Sequence, residues 1–329
     1  MPRILSGVQP TGQLHLGNWA GAIRQFVELQ QPGNEVFVFV ASYHALTTLR
    51  DPAVLRANCR QVVTDYLAFG LDPARTTIYL QHDVPEVTEL HWLLSCVCPN
   101  HLMDKAVSYK DKLTKGLSAN IGLYCYPILQ AADILGPQAD IVPVGRDQVQ
   151  HIEITRDLAG MFNHAFSCEV FRQPAYRLSA TAEVLPGVDG EKMSKSYGNT
   201  IDPFQDEKAL RKRIMGIKTD SKGMDEAKDP ATCPVFRIAK GVAGADDPRI
   251  IDLERRYREP PAGGFGYGHA KQALFEILLD VFADARRRRT ELMADPGAVD
   301  ACLRDGAQRA RAVIARTVAD ARAATGLSA

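Results

Sequence analysis

Apolar and polar positions alternate along the first half of the chain in two rhythms. Residues 3–6 (RILS) read as a short strand, the glycine- and proline-bearing stretch 7–12 as a turn, and 18–29 as an amphipathic helix. Residues 35–41, EVFVFVA, form a near-continuous run of β-branched and aromatic side chains, the pattern of a strand buried on both faces of a parallel sheet. Helical spacing returns over 52–69 and strand character over 76–81. From 87 to 135 the pattern is mainly helical, interrupted by a small polar loop at 114–120; residues 139–144 are again strand-like, and 148–162 helical.

This alternation predicts an α/β fold, a doubly wound, Rossmann-like parallel sheet in which ligands sit beyond the carboxyl ends of the strands. The loop after the first strand is therefore placed to bind. The helices of about 84–135 are expected as an insertion between the two halves of the sheet. After Asn199 strand-like runs cease, and 207–216, 234–241, 269–293 and 297–325 read as helices. The expected organisation is a first domain over 1–199 and an all-helical domain over 200–329.

Composition adds bounds. A length of 329 residues leaves room for two domains, at about 150 residues each. The 46% hydrophobic and 24% charged content is that of an ordinary globular chain and excludes a disordered one. Lys+Arg and Asp+Glu both number 39, so no global positive field draws in nucleic acid. Any such contact has to come from local patches: Arg211, Lys212 and Arg213, or the run Arg286 to Arg289, which a solvated helix face carries equally well. No signal-type apolar stretch opens the chain, and no run reaches the roughly 18 apolar residues of a membrane helix, so a cytoplasmic protein with no membrane attachment is expected. The seven cysteines are scattered and read as reduced core thiols. Cys96 and Cys98 lack a second Cys/His pair at metal spacing, so neither protein-bound zinc nor an iron–sulfur cluster is expected.

The chemistry concentrates in two segments. Neither a G-x-x-x-x-G-K-[ST] loop nor G-x-G-x-x-G is present, so a phosphate cradle has to be built otherwise. In His15-Leu16-Gly17-Asn18, His15 and Asn18 share a face at the start of the first helix, beside backbone N–H groups expected to be unpaired and a positive dipole end that favours anions. Gly17 has no side chain to keep a purine ring from the backbone, and Gly12 permits the sharp turn upstream. Taken alone, these are equally a helix-terminus histidine and a packing glycine. The second segment, Lys192-Met193-Ser194-Lys195-Ser196, is flanked by Gly187, Gly190 and Gly198 and reads as a mobile loop carrying two ammonium groups. Such cations stabilise charge developing on a leaving pyrophosphate, and losing one donor of that kind typically costs about 10²–10³ in rate.

As a pair, the two segments resemble the HIGH and KMSKS signatures of the class I aminoacyl-tRNA synthetases. The likeness extends through Ser6-Gly7-Val8-Gln9-Pro10-Thr11-Gly12, His44-Ala45-Leu46-Thr47, Ala131-Ala132-Asp133-Ile134-Leu135 and the stretch 142–159 (VPVGRDQVQHIEITRDLA), which are similar to the bacterial tryptophanyl-tRNA synthetases. It continues more weakly through Gly264-Phe265-Gly266-Tyr267-Gly268. The resemblance implies a tryptophan–tRNA ligase that activates L-tryptophan with ATP and transfers it to tRNA(Trp), without a covalent enzyme intermediate. It implies Mg²⁺ carried on the ATP phosphates, a homodimer with its interface on the helical insertion, where the apolar stretch 90–97 suits an interface and a core equally, and an anticodon-recognition role for 200–329. Carried over by motif, Gln9, Pro10, Thr11, Gly17, Asn18, Gly145, Arg146, Asp147, Lys192, Met193, Ser194, Lys195 and Ser196 contact ATP, with Val184 flanking adenine. Lys192, Lys195, His15 and Asn18 are the catalytic group. The amino-acid pocket is assigned Gln9, His44, Tyr126, Gln130, Asp133 and Gln148, with Asp133 accepting the indole N–H, a polar test phenylalanine fails.

Three positions depart from the pattern: Leu5, where an aromatic is usual; Gln130, where many bacterial members have Met; and Tyr197-Gly198-Asn199 after the lysine loop. Tyr126, Gln130 and Asp133 also have the spacing by which tyrosyl-tRNA synthetases hold their amino acid, so a tyrosine enzyme is the alternative within the class. A simple adenylyltransferase is disfavoured by the long helical C-terminal region. A nucleotide-binding paralogue that no longer charges tRNA is the alternative outside the class, and intact Lys192, Lys195, Asp133 and Asp147 speak against it.

Overall fold

The computed structural model describes residues 1–104, 120–178 and 184–328; the polar loop expected at 114–120 lies outside the described residues except for Asn120. Among the described residues five parallel strands form the sheet: β1 (Arg3–Val8), β2 (Glu35–Val40), β3 (Thr76–Leu80), β4 (Ile141–Val144) and β5 (Ala175–Leu178). Their order, β3-β2-β1-β4-β5, is that of a doubly wound fold with its switch point between β1 and β4. Register runs from Arg3 opposite Glu35 to Val8 opposite Val40.

Strand β2 shows why the apolar run predicted a central strand. Its alternate residues serve two separate cores, because side chains on a strand point to opposite faces. Val36, Val38 and Val40 join Ile4 and Ile78 under the helices of one face. Phe37 and Phe39 join Leu5 and Tyr79 under those of the other, with the Phe39 and Tyr79 rings stacked at 5.7 Å.

Helix Pro52–Phe69 starts where Asp51 accepts hydrogen bonds from Ala53 N and Val54 N at 2.8 and 3.0 Å, with Pro52 in the first turn. Helix Ile121–Leu135 starts under Asn120, which accepts from Leu123 N at 2.9 Å. It lies with Glu86–Val97 and Asn100–Asp104 between β3 and β4 in the chain, where the insertion was expected. Within Glu86–Val97, Leu90, Leu93 and Leu94 are core residues, whereas Trp92 is 67% exposed.

The structure departs from the sequence reading in several places. Strand β5 and helix Pro248–Arg258 were not anticipated, and the single helix expected over 269–293 breaks at Phe282 into Tyr267–Val281 and Ala283–Ala294. The first helix begins at Leu16 and contains a π-helical turn, Trp19–Ile23. Cys96 is exposed rather than a core thiol. The region after residue 200 is joined closely to the sheet. Leu16 N donates to Ile201 O at 2.9 Å, and the last helix, Pro296–Thr325, returns to place Ala310, Ile314, Val318 and Ala321 in the same core as Leu5 and Phe37.

The run Arg286 to Arg289, a candidate for phosphate contact, mostly serves this junction. Arg286 donates to Pro203 O, Arg288 to Ala68 O at 2.8 Å, and Arg289 pairs with buried Asp65 at 2.8 Å. Only Arg287 spends its charge on local exposed partners, Asp284 and Glu291.

Candidate active site

A cavity of about 430 Å³ opens at the switch point, bordered by the loops after β1 and β4. Of the residues expected at the site, Gln9, His44, Tyr126, Gln130, Asp133, Gly145 and Gln148 line it. At its floor Asp133 is 2% exposed. His44 Nε2 lies 2.9 Å from its Oδ2, and the Gln81 amide nitrogen lies 2.8 Å from both carboxylate oxygens. Burial raises the Asp133 pKa, and the bonds from His44 and Gln81 oppose that rise by favouring the charged form. His91 behind it is held below the usual histidine range, chiefly by burial.

On another wall, Tyr126 Oη lies 2.8 Å from His151 Nε2, and His151 Nδ1 lies 2.9 Å from Gln148 Oε1. Tyr126 meets the rings of His44 and His151 edge-on. This wall is therefore polar, while Phe26, Phe39, Ile134 and Val142 line apolar parts of the cavity. Neither Gln81 nor His151 was singled out from the sequence, although His151 stands in the stretch that carried the resemblance.

The two signature segments meet beside the cavity. His15 is the N-cap of the first helix: its Nδ1 accepts from Gly17 N at 3.1 Å, while Asn18 Oδ1 accepts from His15 N at 3.2 Å. With Leu16 N bonded to Ile201 O, the helix-start N–H groups of Leu16 and Gly17 are engaged by the protein itself, contrary to the expectation that they are unpaired. Capping competes here with anion binding for the same donors. Nor does Gly17 leave an open face in its Cβ direction. A side-chain carbon there would lie 3.0 Å from the His15 ring and 3.4 Å from Met193 Cβ, and Gly17 N also points at Met193 Sδ, 3.3 Å away. The glycine is what lets the two signatures pack together.

Lys195 Nζ reaches back to Thr11 O at 3.1 Å and Thr11 Oγ1 at 3.4 Å, the position of its ammonium being fixed by the loop after β1. Burial lowers the Lys195 pKa. Burial, and then the Lys195 charge, push His15 down to about 4, so its ring is neutral at physiological pH and free to accept through Nδ1. Met193 is buried, whereas Lys192 and Ser196 are exposed and Ser194 caps the short turn Lys195–Tyr197. Pro10 O accepts from Asn58 Nδ2 at 3.1 Å. Arg146 stands exposed in the turn Arg146–Gln148; the side chain of Asp147 lies outside the described residues. Val184 is 52% exposed and does not line the cavity.

A parallel sheet with a ligand cavity at its switch point and a lysine loop folded onto the first helix defines a nucleotide-using enzyme of the class I synthetase type. The sequence model of the family "tRNA synthetases class I (W and Y)" matches residues 1–283, and the chain belongs to that family. It is 48% identical over 325 residues to the tryptophan–tRNA ligase of Rhodopirellula baltica, covering 99% of each chain. Over 328 residues it is 44% identical to that of Fusobacterium nucleatum, covering 99% of this chain and 98% of the relative. The crystal structure of tryptophanyl-tRNA synthetase from Campylobacter jejuni complexed with ADP and tryptophan superposes with a TM-score of 0.91 at 43% identity, covering 99% of this chain and all of that one.

Proposed function

We propose that this chain is a tryptophan–tRNA ligase. The observation that carries the proposal is the juxtaposition of a partly apolar cavity lined by buried Asp133 with a lysine loop anchored on Thr11 at the neighbouring loop after β1. Tryptophan occupies the cavity with its indole N–H on Asp133 and its zwitterionic end towards Tyr126, Gln130 and Gln148; His44 and Gln9 complete the pocket. ATP lies along Gln9, Pro10, Thr11, Gly17, Asn18, Gly145, Arg146 and Asp147, with Val184 at the adenine edge and the segment Lys192, Met193, Ser194, Lys195, Ser196 over the phosphates.

A tryptophan carboxylate oxygen attacks the α-phosphorus. The bond to the β-phosphate oxygen breaks, and pyrophosphate leaves with its charge met by Lys192 and Lys195. The 3′-terminal ribose hydroxyl of tRNA(Trp) then attacks the activated carbonyl and AMP departs. Mg²⁺ carried on the ATP phosphates would supply part of the charge neutralisation there. Such an ion needs no three-donor protein cradle, and no group of three His, Cys, Asp or Glu side chains suited to a metal occurs among the described residues. The described helices include none long and apolar enough to cross a membrane, and we place the enzyme in the cytoplasm. We assign residues 200–329 to tRNA recognition and the exposed side of helix Glu86–Val97, around Trp92, to a homodimer contact.

The decisive experiment is amino-acid-dependent exchange of labelled pyrophosphate into ATP with tryptophan, tyrosine or no amino acid. Exchange with tryptophan alone is expected. Exchange with tyrosine alone would reassign the pocket, and no exchange with either would favour a non-charging nucleotide-binding protein.

A further inference from the structure

The side chain of Gln81 is completely buried at the end of β3. A buried primary amide has two donors and an acceptor to satisfy, and leaving one unmade is costly. The orientation of this amide is not arbitrary. Tyr43 N lies 2.8 Å from Gln81 Oε1, and a backbone N–H can only donate, so Oε1 is the acceptor and Nε2 faces Asp133.

Tyr43 and His44 are adjacent in the short helix Ser42–Ala45, and both act on the same carboxylate. His44 does so directly through Oδ2, Tyr43 through Gln81. The result is a closed ring of contacts among Tyr43, Gln81, Asp133 and His44. The Gln81 nitrogen is shared between Oδ1 and Oδ2 and holds the carboxylate plane from one side, while His44 takes a second site on Oδ2. Among the described residues Oδ1 has only the shared Gln81 bond, so it keeps acceptor capacity on a residue that lines the cavity. A carboxylate held at two points can present that capacity in one direction only.

We infer that Gln81 is a positioning residue for amino-acid selection: it fixes the Asp133 carboxylate so that one oxygen is aimed at a ring N–H in the cavity. This rests on the reading of Asp133 given above. Gln81 borders the carboxylate rather than the cavity, so it acts on the substrate only through Asp133. Its removal therefore weakens the reward for a ring N–H and leaves the phosphate chemistry alone.

The test compares tryptophan with β-(3-benzothienyl)alanine, which has the same bicyclic shape with sulfur in place of N–H, in pyrophosphate exchange. Four proteins are measured: the unmodified enzyme, Asp133→Ala, Gln81→Met and Gln81→Asn. The unmodified enzyme is expected to favour tryptophan in kcat/KM by on the order of tenfold or more, the reward of one hydrogen bond to a charged acceptor. Asp133→Ala should bring the ratio close to unity. Gln81→Met should lower it several-fold through the KM for tryptophan, with kcat at saturating tryptophan little changed. Gln81→Asn keeps the polarity but is too short to span Tyr43 and Asp133, so it should lower the ratio as well and serves if the Met variant does not fold. An unchanged ratio in both Gln81 variants, with a collapsed ratio in Asp133→Ala, would overturn this inference alone. An unchanged ratio in Asp133→Ala would overturn the reading of Asp133 and this inference with it.

Discussion

Asn199 ties the lysine loop into its shape, and its replacement tests whether that shape matters to the chemistry. The residue is 2% exposed. Its Oδ1 accepts from Ser194 N at 2.8 Å, and its Nδ2 donates to Asp189 Oδ1 at 2.8 Å and to Lys192 O at 3.0 Å. Its carbonyl accepts from Val188 N at 3.0 Å, and Gly187 packs so closely that a Cβ there would fall 2.3 Å from the Asn199 side chain. Asn199→Ala removes three hydrogen bonds and strands the Ser194 N–H and the Lys192 carbonyl. At about 1 kcal/mol each, the local loss is about 3 kcal/mol. If that loss falls on the arrangement that presents Lys192 and Lys195 to the phosphates, exchange slows by up to about 100-fold. Tryptophan affinity, measured by equilibrium dialysis, should change less than about twofold, since Asn199 does not line the amino-acid cavity. Asn199→Asp has the same shape but turns an oxygen towards Asp189 and the Lys192 carbonyl, so it should be at least as damaging. Adding Asp189→Asn restores one donor across that contact and should recover part of the rate. An unchanged exchange rate in Asn199→Ala, or a loss of tryptophan affinity matching the loss of rate, would show that the shape of the lysine loop does not act on the phosphate step.

Two further perturbations probe the frame around the site. A Cβ at Gly306, inside helix Pro296–Thr325, would lie 1.7 Å from the Ile78 carbonyl oxygen. Ala is better than Gly in a helix by about 1 kcal/mol, but overpacking against backbone costs about 1–3 kcal/mol or more, so Gly306→Ala should lower the Tm by several degrees in calorimetry; a rise would show that the helix slides freely on β3. Asp202 is pushed up to about 6, first by burial, with the bond from Phe204 N opposing and the Asp65 charge adding to the rise. A carboxyl whose folded pKa lies above its unfolded value stabilises the fold at low pH and loses that contribution as pH rises through the folded pKa, here between about 4 and 6. The full displacement is worth about 3 kcal/mol. Asp202→Asn, which keeps the shape beside Gln13 and Phe204, should therefore melt close to the unmodified protein at pH 4 and above it at pH 7.5; a constant offset across that range would exclude titration of Asp202 as the cause.

How far the sequence disclosed this arrangement depended on whether a residue's role is local. Strand β2 was legible because burial on both faces leaves every position apolar or aromatic. Strand β5 was not, since all four of its residues, Ala175 to Leu178, are exposed at the sheet edge and four such residues carry no periodic signal. Helix Pro248–Arg258 carried a start signal in Asp247 and Pro248, but its few apolar positions are diluted by charge. Asp133 stood out as a carboxylate in an apolar helix. Gln81 could not, because its partners Tyr43 and Asp133 are 38 and 52 residues away and no motif surrounds it. The expectation of unpaired N–H groups at the first helix start failed for a related reason. Spacing placed His15 and Asn18 there, and only the fold shows that His15 Nδ1 and Asn18 Oδ1 take part in capping and that Ile201 O receives Leu16 N.

The signature segments lie 177 residues apart, counted from His15 to Lys192, and the chain after residue 200 helps to hold them together. Ile201 O receives Leu16 N directly after the lysine loop, and Arg213 donates to Thr200 O at 2.9 Å and to Gly198 O. Behind them Arg289 reaches across from helix Ala283–Ala294 to Asp65 on helix Pro52–Phe69. Asp65 is fully buried, with one carboxylate oxygen lacking a partner among the described residues, and burial raises its pKa against the opposing effect of Arg289. Such a pair adds little net stability compared with apolar packing, whereas deleting one partner costs about 3–5 kcal/mol. Its value here is geometric, because it permits one seating of the later helices against the helix whose Asn58 holds Pro10. A small shift in that seating is expected to reach the site by two short routes, through Asn58 to Pro10, next to the Thr11 that receives Lys195, and through Ile201 to Leu16 of the first helix, on which Met193 packs. The helical half of the chain is thus part of the nucleotide site's support, and substitutions far from the cavity, at Arg289 or Arg213, are expected to act on ATP chemistry before they act on tryptophan selection.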